Sequence, residues 1–223
     1  MIDIINILKE INAIIANSHF VYTSGKHGSV YLRKDLLYPH TKITSDVCKL
    51  FAEKFKNRDI DVVVGPSIGG IILSQWTAYH LSKLKGKEIL SIFTEKDENN
   101  NQIFKRDYDK LIKGKRVLIV EDLTTTGGSV KKVADSVKKA GGKVVAVCIM
   151  INRDPKNITS KTIGAPLSEL GVFEAKSYSK EECPLCKKRV PINTIVGHGK
   201  QFLQSTHTIL KDKISQNMQL QNL

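Results

Sequence analysis

Three short segments of this chain are apolar at every interior position: Asp61-Val-Val-Val-Gly65, Arg116-Val-Leu-Ile-Val-Glu121 and Lys143-Val-Val-Ala-Val-Cys-Ile-Met-Ile151. A strand with one wet face alternates apolar and polar residues. These segments do not, so each reads as a strand covered on both faces. Glu88-Ile-Leu-Ser-Ile-Phe-Thr94 reads as a further strand. Helical patterns lie between them. Residues 68–84 are one, and at 129–140 Val130, Val133, Ala134 and Val137 share a stripe that Gly141-Gly142 ends. Buried strands alternating with helices specify an α/β fold, a mostly parallel sheet flanked by helices. Ligands of such sheets bind beyond the carboxyl ends of the strands. That rule points at Gly65–Gly70, Thr94–Asp97, Glu121–Ser129 and Asn152–Asp154, all polar or glycine-rich.

Two helices precede this core. Residues 3–16 put Ile4, Leu8, Ile11 and Ile15 on one stripe, and residues 42–56 do the same with Ile43, Val47, Leu50, Phe51 and Phe55. The polar stretch Glu95–Lys110, with Asn99-Asn100-Asn101, reads as a mobile loop or an extended hairpin. The tail after Val190 is rich in Gln, Asn, Lys and Ser, and is expected to be partly disordered or a surface helix. The expected organisation is a single domain over residues 1–190 and a polar extension over 191–223.

Composition excludes several classes. No apolar run approaches the ~20 residues that span a bilayer, so no membrane is expected. Asp3, Lys9 and Glu10 interrupt the N-terminal apolar pattern, which argues against a signal peptide. Two of the four cysteines, Cys48 and Cys148, sit in segments expected to be buried, which suits a reducing cytoplasm better than a disulfide scaffold. The formal charge of +13 would attract polyanions. Its lysines are spread along the chain, so the surplus reads mainly as solvated surface, with nucleic-acid binding the lesser alternative.

The sharpest signal is Val117-Leu-Ile-Val-Glu121-Asp122-Leu-Thr124-Thr125-Thr126-Gly127-Gly128-Ser129. Glycines let the backbone curl several N–H groups toward one anion, and a helix N-terminus adds its positive dipole end. Four hydroxyls supply further donors, so the segment reads as a cradle for a terminal phosphate. It is no P-loop, since the P-loop lysine is missing. Two acids beside the cradle would repel the phosphate unless they served another group, such as a ribose diol with Mg²⁺ nearby. A plain capping turn with surface-paired acids is the bland alternative, and needs only one such residue.

This string resembles the signature of the type I phosphoribosyltransferases. The resemblance implies that Glu121 and Asp122 hold the ribose hydroxyls while Thr124, Thr125, Thr126, Gly127, Gly128 and Ser129 hold the 5′-phosphate. Three further segments are similar to the orotate phosphoribosyltransferases, specifically the bacterial subgroup with a C-terminal Cys-Pro-Leu-Cys. They are Thr23-Ser24-Gly25-Lys26-His27 with Tyr31, Val64-Gly65-Pro66-Ser67-Ile68-Gly69-Gly70, and Cys183-Pro-Leu-Cys186. The likeness runs from about residue 5 to about residue 191 and leaves the last thirty or so outside. It implies a small hood, formed by the N-terminal helix and residues 155–190, a mobile loop and a homodimer.

Ser67, Gly69 and Gly70, between a strand and a helix, are placed to bind pyrophosphate through backbone N–H groups; a tight turn packing helix on strand is the alternative. Many relatives carry a lysine in this loop, where this chain has Ile68-Gly69. Arg153 matches the position where the family's arginine meets orotate, and a guanidinium fork fits the carboxylate that uracil lacks. A surface pair with Asp154 or Glu174 is its bland alternative. Lys26 is a candidate for phosphate or base. Lys96 falls near the family's catalytic lysines, with Lys105 and Arg106 on the returning arm as substrate contacts. Mg²⁺ is implied as cofactor, bound mainly through substrate with Glu121 and Asp122 nearby.

Cys183 and Cys186 have metal-ligand spacing, but one pair does not make a zinc site. His198 and His207 are candidates to complete it, although their spacing exceeds the usual three to five residues. Two such pairs meeting across a dimer, or a plain proline turn with two thiols, are the other readings. The function implied is transfer of phosphoribosyl from 5-phosphoribosyl pyrophosphate to orotate. Its rivals are a purine phosphoribosyltransferase and a non-enzymatic sensor of phosphoribosyl pyrophosphate that binds nucleic acid.

Overall fold

The computed structural model describes residues 3–22 and 24–205. They fall into two compact units, one of residues 3–13 and 34–174, the other of residues 14–33 and the chain from 175 onward. The expected extension over 191–223 straddles the limit of description: residues 191–205 belong to the second unit, and 206–223 lie outside the described residues.

Helix α1 (Ile4–Glu10) is capped by Asp3, whose Oδ1 accepts from the Ile5 N–H at 2.9 Å. The expected helix over 3–16 stops short because Asn12 turns the backbone left-handed, φ 54°. Asparagine tolerates that region better than most residues. Ile14–Ile15 then leave the helical stripe as strand β1. Strands β2 (Phe20–Val21), β3 (His27–Gly28) and β4 (Tyr31–Leu32) complete this part of the second unit, β1 pairing antiparallel with β4 and β2 with β3.

The chain returns to the first unit through helix α2 (Thr41–Phe55), which buries Val47, Cys48, Phe51 and Phe55. The core follows as β5 (Val62–Pro66), α3 (Gly69–Lys85), β6 (Leu90–Lys96), the short β7 (Gln102–Ile103), α4 (Tyr108–Ile112), β8 (Arg116–Thr124), α5 (Gly128–Lys139), β9 (Lys143–Asn152), α6 (Ser160–Ile163) and β10 (Leu167–Val172). Six strands make one sheet in the order β10-β9-β8-β5-β6-β7, parallel throughout except for β7, which runs antiparallel to β6. The mostly parallel sheet flanked by helices is the expected one. Val62, Val64, Val117, Ile119, Val147 and Ile149 bury between it and Val130, Val133 and Val137 of α5. Cys48 and Cys148 are fully buried and unbonded, as their apolar surroundings require.

Of the two readings open for Glu95–Lys110, a mobile loop or an extended hairpin, the structure forms the hairpin over its first part: β6 and β7 pair Glu95 with Ile103 and Lys96 with Gln102. Asp97 closes its turn by accepting the Asn101 N–H at 2.7 Å. Strand β10 went unrecognised because Leu-Ser-Glu-Leu-Gly-Val carries no apolar run. At the sheet edge it is half-buried, and its order comes from pairing with β9.

In the second unit, α7 (Pro184–Lys187) follows Cys183, and residues 199–205 are helical. Backbone bonds knit its two stretches together: His27 N–H to Tyr178 O at 2.8 Å, Asn193 N–H to His19 O at 2.7 Å and His198 N–H to Val21 O at 2.9 Å.

Candidate active site

Because β9, β8, β5 and β6 are parallel neighbours, their carboxyl ends lie along one edge of the sheet. The four segments singled out from sequence sit there. Among the described residues the only buried carboxylates are Glu121 and Asp122, and the only buried guanidinium is that of Arg153. A sheet edge that buries charge in this way sustains a cost that packing alone would not justify.

Asp122 is 1% exposed. Its Oδ1 accepts from Lys34 Nζ at 2.6 Å and its Oδ2 from Tyr38 Oη at 2.5 Å. Glu121 turns its Oε1 onto the Asp122 N–H at 2.9 Å. Burial, and then the neighbouring Asp122, push the Glu121 carboxyl well above the usual carboxylate range. Burial first, and then Asp122, also raise the Tyr38 hydroxyl beyond its ordinary value, so Tyr38 stays a hydrogen-bond donor to Asp122. Lys34 and Tyr38 were not found from sequence. Lys34 opens the short turn Lys34–Leu36 and Tyr38 follows it, far upstream, in a segment with no motif of its own.

The loop after β8 divides its labour. Thr124 is buried, and its Oγ1 accepts the Gly127 N–H at 2.9 Å, which shapes the turn. Gly127 has φ 75°, a conformation that favours glycine, and a Cβ there would meet Ile163 Cδ1 at 2.8 Å. Thr125, Thr126, Gly128 and Ser129 are exposed at the start of α5, whose N-cap Gly127 offers no side chain to occupy the first-turn N–H groups. The hydroxyls and backbone donors expected for a phosphate are thus presented together.

Between β5 and α3, the close-packing reading holds for two glycines. A Cβ on Gly65 would lie 2.1 Å from Gly70 O, and one on Gly70 would lie 2.6 Å from Pro66 Cδ. Gly69 is different. A Cβ there would fall 2.1 Å from both Asp122 Oδ2 and Tyr38 Oη, so the bare backbone keeps this loop against the acidic pair. Ser67 is half-buried and donates its N–H to Thr94 O at 2.9 Å, and Ile68 is exposed.

Arg153 is buried, and its backbone N–H donates to Thr124 O at 3.0 Å, which ties the end of β9 to the end of β8. The Asp154 carboxylate accepts from Asn157 Nδ2 at 2.8 Å. On the hairpin, Lys96 is exposed, whereas Lys105 and Arg106 both face Glu95, the former at 3.6 Å. The hairpin tip is held to α5 by Lys132 Nζ, which donates to Asn100 O at 2.7 Å. Lys26 lies in the second unit, exposed on the turn between β2 and β3.

The donor set fits Mg²⁺ as an ion carried by a substrate. Both Asp122 oxygens already accept a hydrogen bond, which leaves the pair suited to one or two contacts beside phosphate oxygens and water rather than to an all-protein cage.

Residues 34–162 match the family described as phosphoribosyl transferase domain. The chain is 38% identical to the orotate phosphoribosyltransferase of Caldanaerobacter subterraneus subsp. tengcongensis, over 80% of this chain and 88% of that protein. It is 37% identical to that of Caldicellulosiruptor bescii, over 84% of this chain and 93% of the other. Its fold is similar to the crystal structure of Mycobacterium tuberculosis H37Rv orotate phosphoribosyltransferase in complex with Fe(III) dicitrate. That match has a TM-score of 0.61 at 20% identity and covers 77% of this chain and 97% of that one.

Proposed function

This chain belongs to the phosphoribosyltransferase family, among the orotate phosphoribosyltransferases, and from that premise we propose how its residues carry the transfer of phosphoribosyl from 5-phosphoribosyl pyrophosphate to orotate. The products are orotidine 5′-phosphate, a pyrimidine nucleotide, and pyrophosphate.

The observation that carries this reading is the buried Glu121–Asp122 pair joined directly to the open Thr125–Ser129 loop. Glu121 and Asp122 accept from the ribose hydroxyls. Lys34 and Tyr38 hold Asp122 in place for that task. Thr125, Thr126, Gly128 and Ser129 bind the 5′-phosphate, over a turn set by Thr124 and Gly127. Backbone N–H groups of Gly69 and Gly70 face the pyrophosphate, Ser67 adds its hydroxyl because its own N–H is held by Thr94 O, and Arg153 meets the orotate carboxylate.

As the bond from C1 to the pyrophosphate oxygen breaks, the ribose gains positive charge and the leaving group keeps the electron pair. Orotate N1 supplies the pair for the new bond to C1 from the opposite face, and its proton passes to a pyrophosphate oxygen or to water. Nothing in this step needs a covalent enzyme intermediate. The chain contributes placement and fixed charge, and orientation of this kind supplies up to ~7–11 kcal/mol in well-aligned reactions. Mg²⁺, when bound, neutralises pyrophosphate oxygens. Lys96 supplies the loop cation for the leaving group, with Lys105 and Arg106 exchanging Glu95 for phosphate as the hairpin closes. A homodimer in which each hairpin serves the neighbouring site, and a cytoplasmic location, complete this reading. No described helix is long and apolar enough to cross a membrane.

The test is a panel. Protein, Mg²⁺ and 5-phosphoribosyl pyrophosphate are incubated separately with orotate, uracil, adenine, guanine and hypoxanthine, and any nucleotide is identified by chromatography. Orotidine 5′-phosphate is expected. A purine nucleotide without it overturns the assignment.

A further inference from the structure

The second unit brings four soft or borderline ligands to one point. His19, His27 and Cys183 are buried and Cys186 is half-buried, and one ligand atom from each lies within 4.8 Å of all the others. His19 Nε2 is 2.9 Å from His27 Nδ1 and 3.6 Å from both Cys183 Sγ and Cys186 Sγ, and His27 Nδ1 is 3.3 Å from Cys186 Sγ. We propose that this cluster binds one structural zinc ion through His19 Nε2, His27 Nδ1, Cys183 Sγ and Cys186 Sγ.

The distances suit a tetrahedron. Zinc bonds of ~2.0–2.1 Å to nitrogen and ~2.3 Å to sulfur imply ligand–ligand edges of ~3.3–3.8 Å. Three of the four measured separations fall there, and the nitrogen pair needs only a small opening. Tautomers agree as well. His19 Nδ1 lies 2.8 Å from Val190 O, a carbonyl that can only accept, so the proton sits on Nδ1 and the Nε2 lone pair points into the cluster. A carbonyl that orients a metal-binding imidazole in this way is the usual outer partner of such sites. With His27 Nδ1 as a ligand, its proton sits on Nε2. All cysteines are free thiols, and two thiolates with two imidazoles select zinc among common divalent ions.

The ligands come from opposite ends of the sequence. His19 precedes β2 and His27 opens β3, while Cys183 caps α7 and Cys186 lies within it. The completing histidines are therefore not the candidate pair His198 and His207: His198 is outside this cluster, and His207 lies outside the described residues. The described part of this unit buries few apolar side chains, namely Phe20, Val21, Tyr22, Leu32 and Cys183. A unit below ~70–80 residues with so thin a core generally needs a staple.

The experiment uses the full chain, produced without a polyhistidine tag in zinc-supplemented medium. Elemental analysis is expected to give about one zinc per chain. Cobalt exchange should give the visible bands of a tetrahedral centre with a near-ultraviolet thiolate-to-cobalt band. Removing zinc with a strong chelator should lower Tm. The Cys183→Ser variant should bind zinc weaker by at least the ~10–100-fold that losing an outer partner costs, while His198→Ala keeps full content. Absence of zinc together with no uptake by the metal-free chain, or a cobalt spectrum lacking the thiolate band, overturns the proposal. So does undiminished zinc in a Cys183→Ser/Cys186→Ser chain. If these variants fail to fold, the spectrum of the unaltered protein decides alone.

Discussion

Asp122 meets Lys34, Tyr38, the Glu121 side chain's backbone contact and the Gly69 backbone within one buried pocket of charge. Asp122→Asn keeps the shape and removes the charge. It is expected to lower kcat/KM for 5-phosphoribosyl pyrophosphate by roughly ten- to a hundredfold, the ~1.5–3 kcal/mol of charge-assisted hydrogen bonding. Unchanged kinetics in a folded variant would take Asp122 out of the site. Arg153→Leu is expected to raise KM for orotate by a similar factor and to affect 5-phosphoribosyl pyrophosphate much less. An equal effect on both substrates would make Arg153 a support of the β8–β9 junction only. The residues legible from sequence were contiguous ones: Glu121, Asp122 and the threonine–glycine loop form one string whose chemistry reads locally. Lys34 and Tyr38 were illegible because their partner lies more than eighty residues away, and a lysine and a tyrosine near a turn announce nothing on their own.

At the scale of elements, patterning found the buried strands and β6, left loop and hairpin both open for Glu95–Lys110, and missed β10. β5, β8 and β9 are wrapped on both sides, so their composition records their burial. β10 and the β6–β7 hairpin are only half-covered, and backbone pairing decides them. The opposite margin of the sheet holds a device that no pattern shows. Arg116, opening β8, donates from Nε to Asp61 Oδ2 at 2.9 Å, and its second fork nitrogen reaches Oδ1 at 2.8 Å, just before β5. These hydrogen bonds hold Asp61 well below the usual carboxylate range against the opposing pull of burial. A carboxylate whose folded pKa is depressed contributes its stability above the unfolded value of about 3.9 and loses it as pH falls further. Asp61→Asn should therefore lower Tm at neutral pH, by a modest amount since both partners are part-exposed. The gap to the parent should narrow below about pH 4. A gap that ignores pH would mean that the pair contributes packing rather than charge.

At the scale of the molecule, the hairpin gives a test of assembly. In the proposed dimer, Lys96→Ala disables the cation and Asp122→Asn disables the core. Mixing the two inactive proteins should restore part of the activity, because some exchanged dimers combine an intact core with an intact hairpin. Activity that stays at the level of the separate variants, despite demonstrated exchange, would reject the shared site or the choice of Lys96. Repeating the mixture with Lys105→Ala separates those outcomes. The division into units went unread in composition, since residues 14–33 and the chain from 175 onward look like unrelated stretches until they pair. That interleaving fixes a timetable during synthesis. As the ribosome works from the N-terminus, His19 and His27 emerge early and wait for Cys183 and Cys186, while everything needed for the β8 site is translated in between. At about 5–20 residues per second the wait is on the order of ten seconds. Through it, the β2–β3 hairpin lacks the Tyr178 and Asn193 backbone partners of the finished fold, and a chain ending after residue 174 would contain every strand of the sheet with only two of the four proposed zinc ligands.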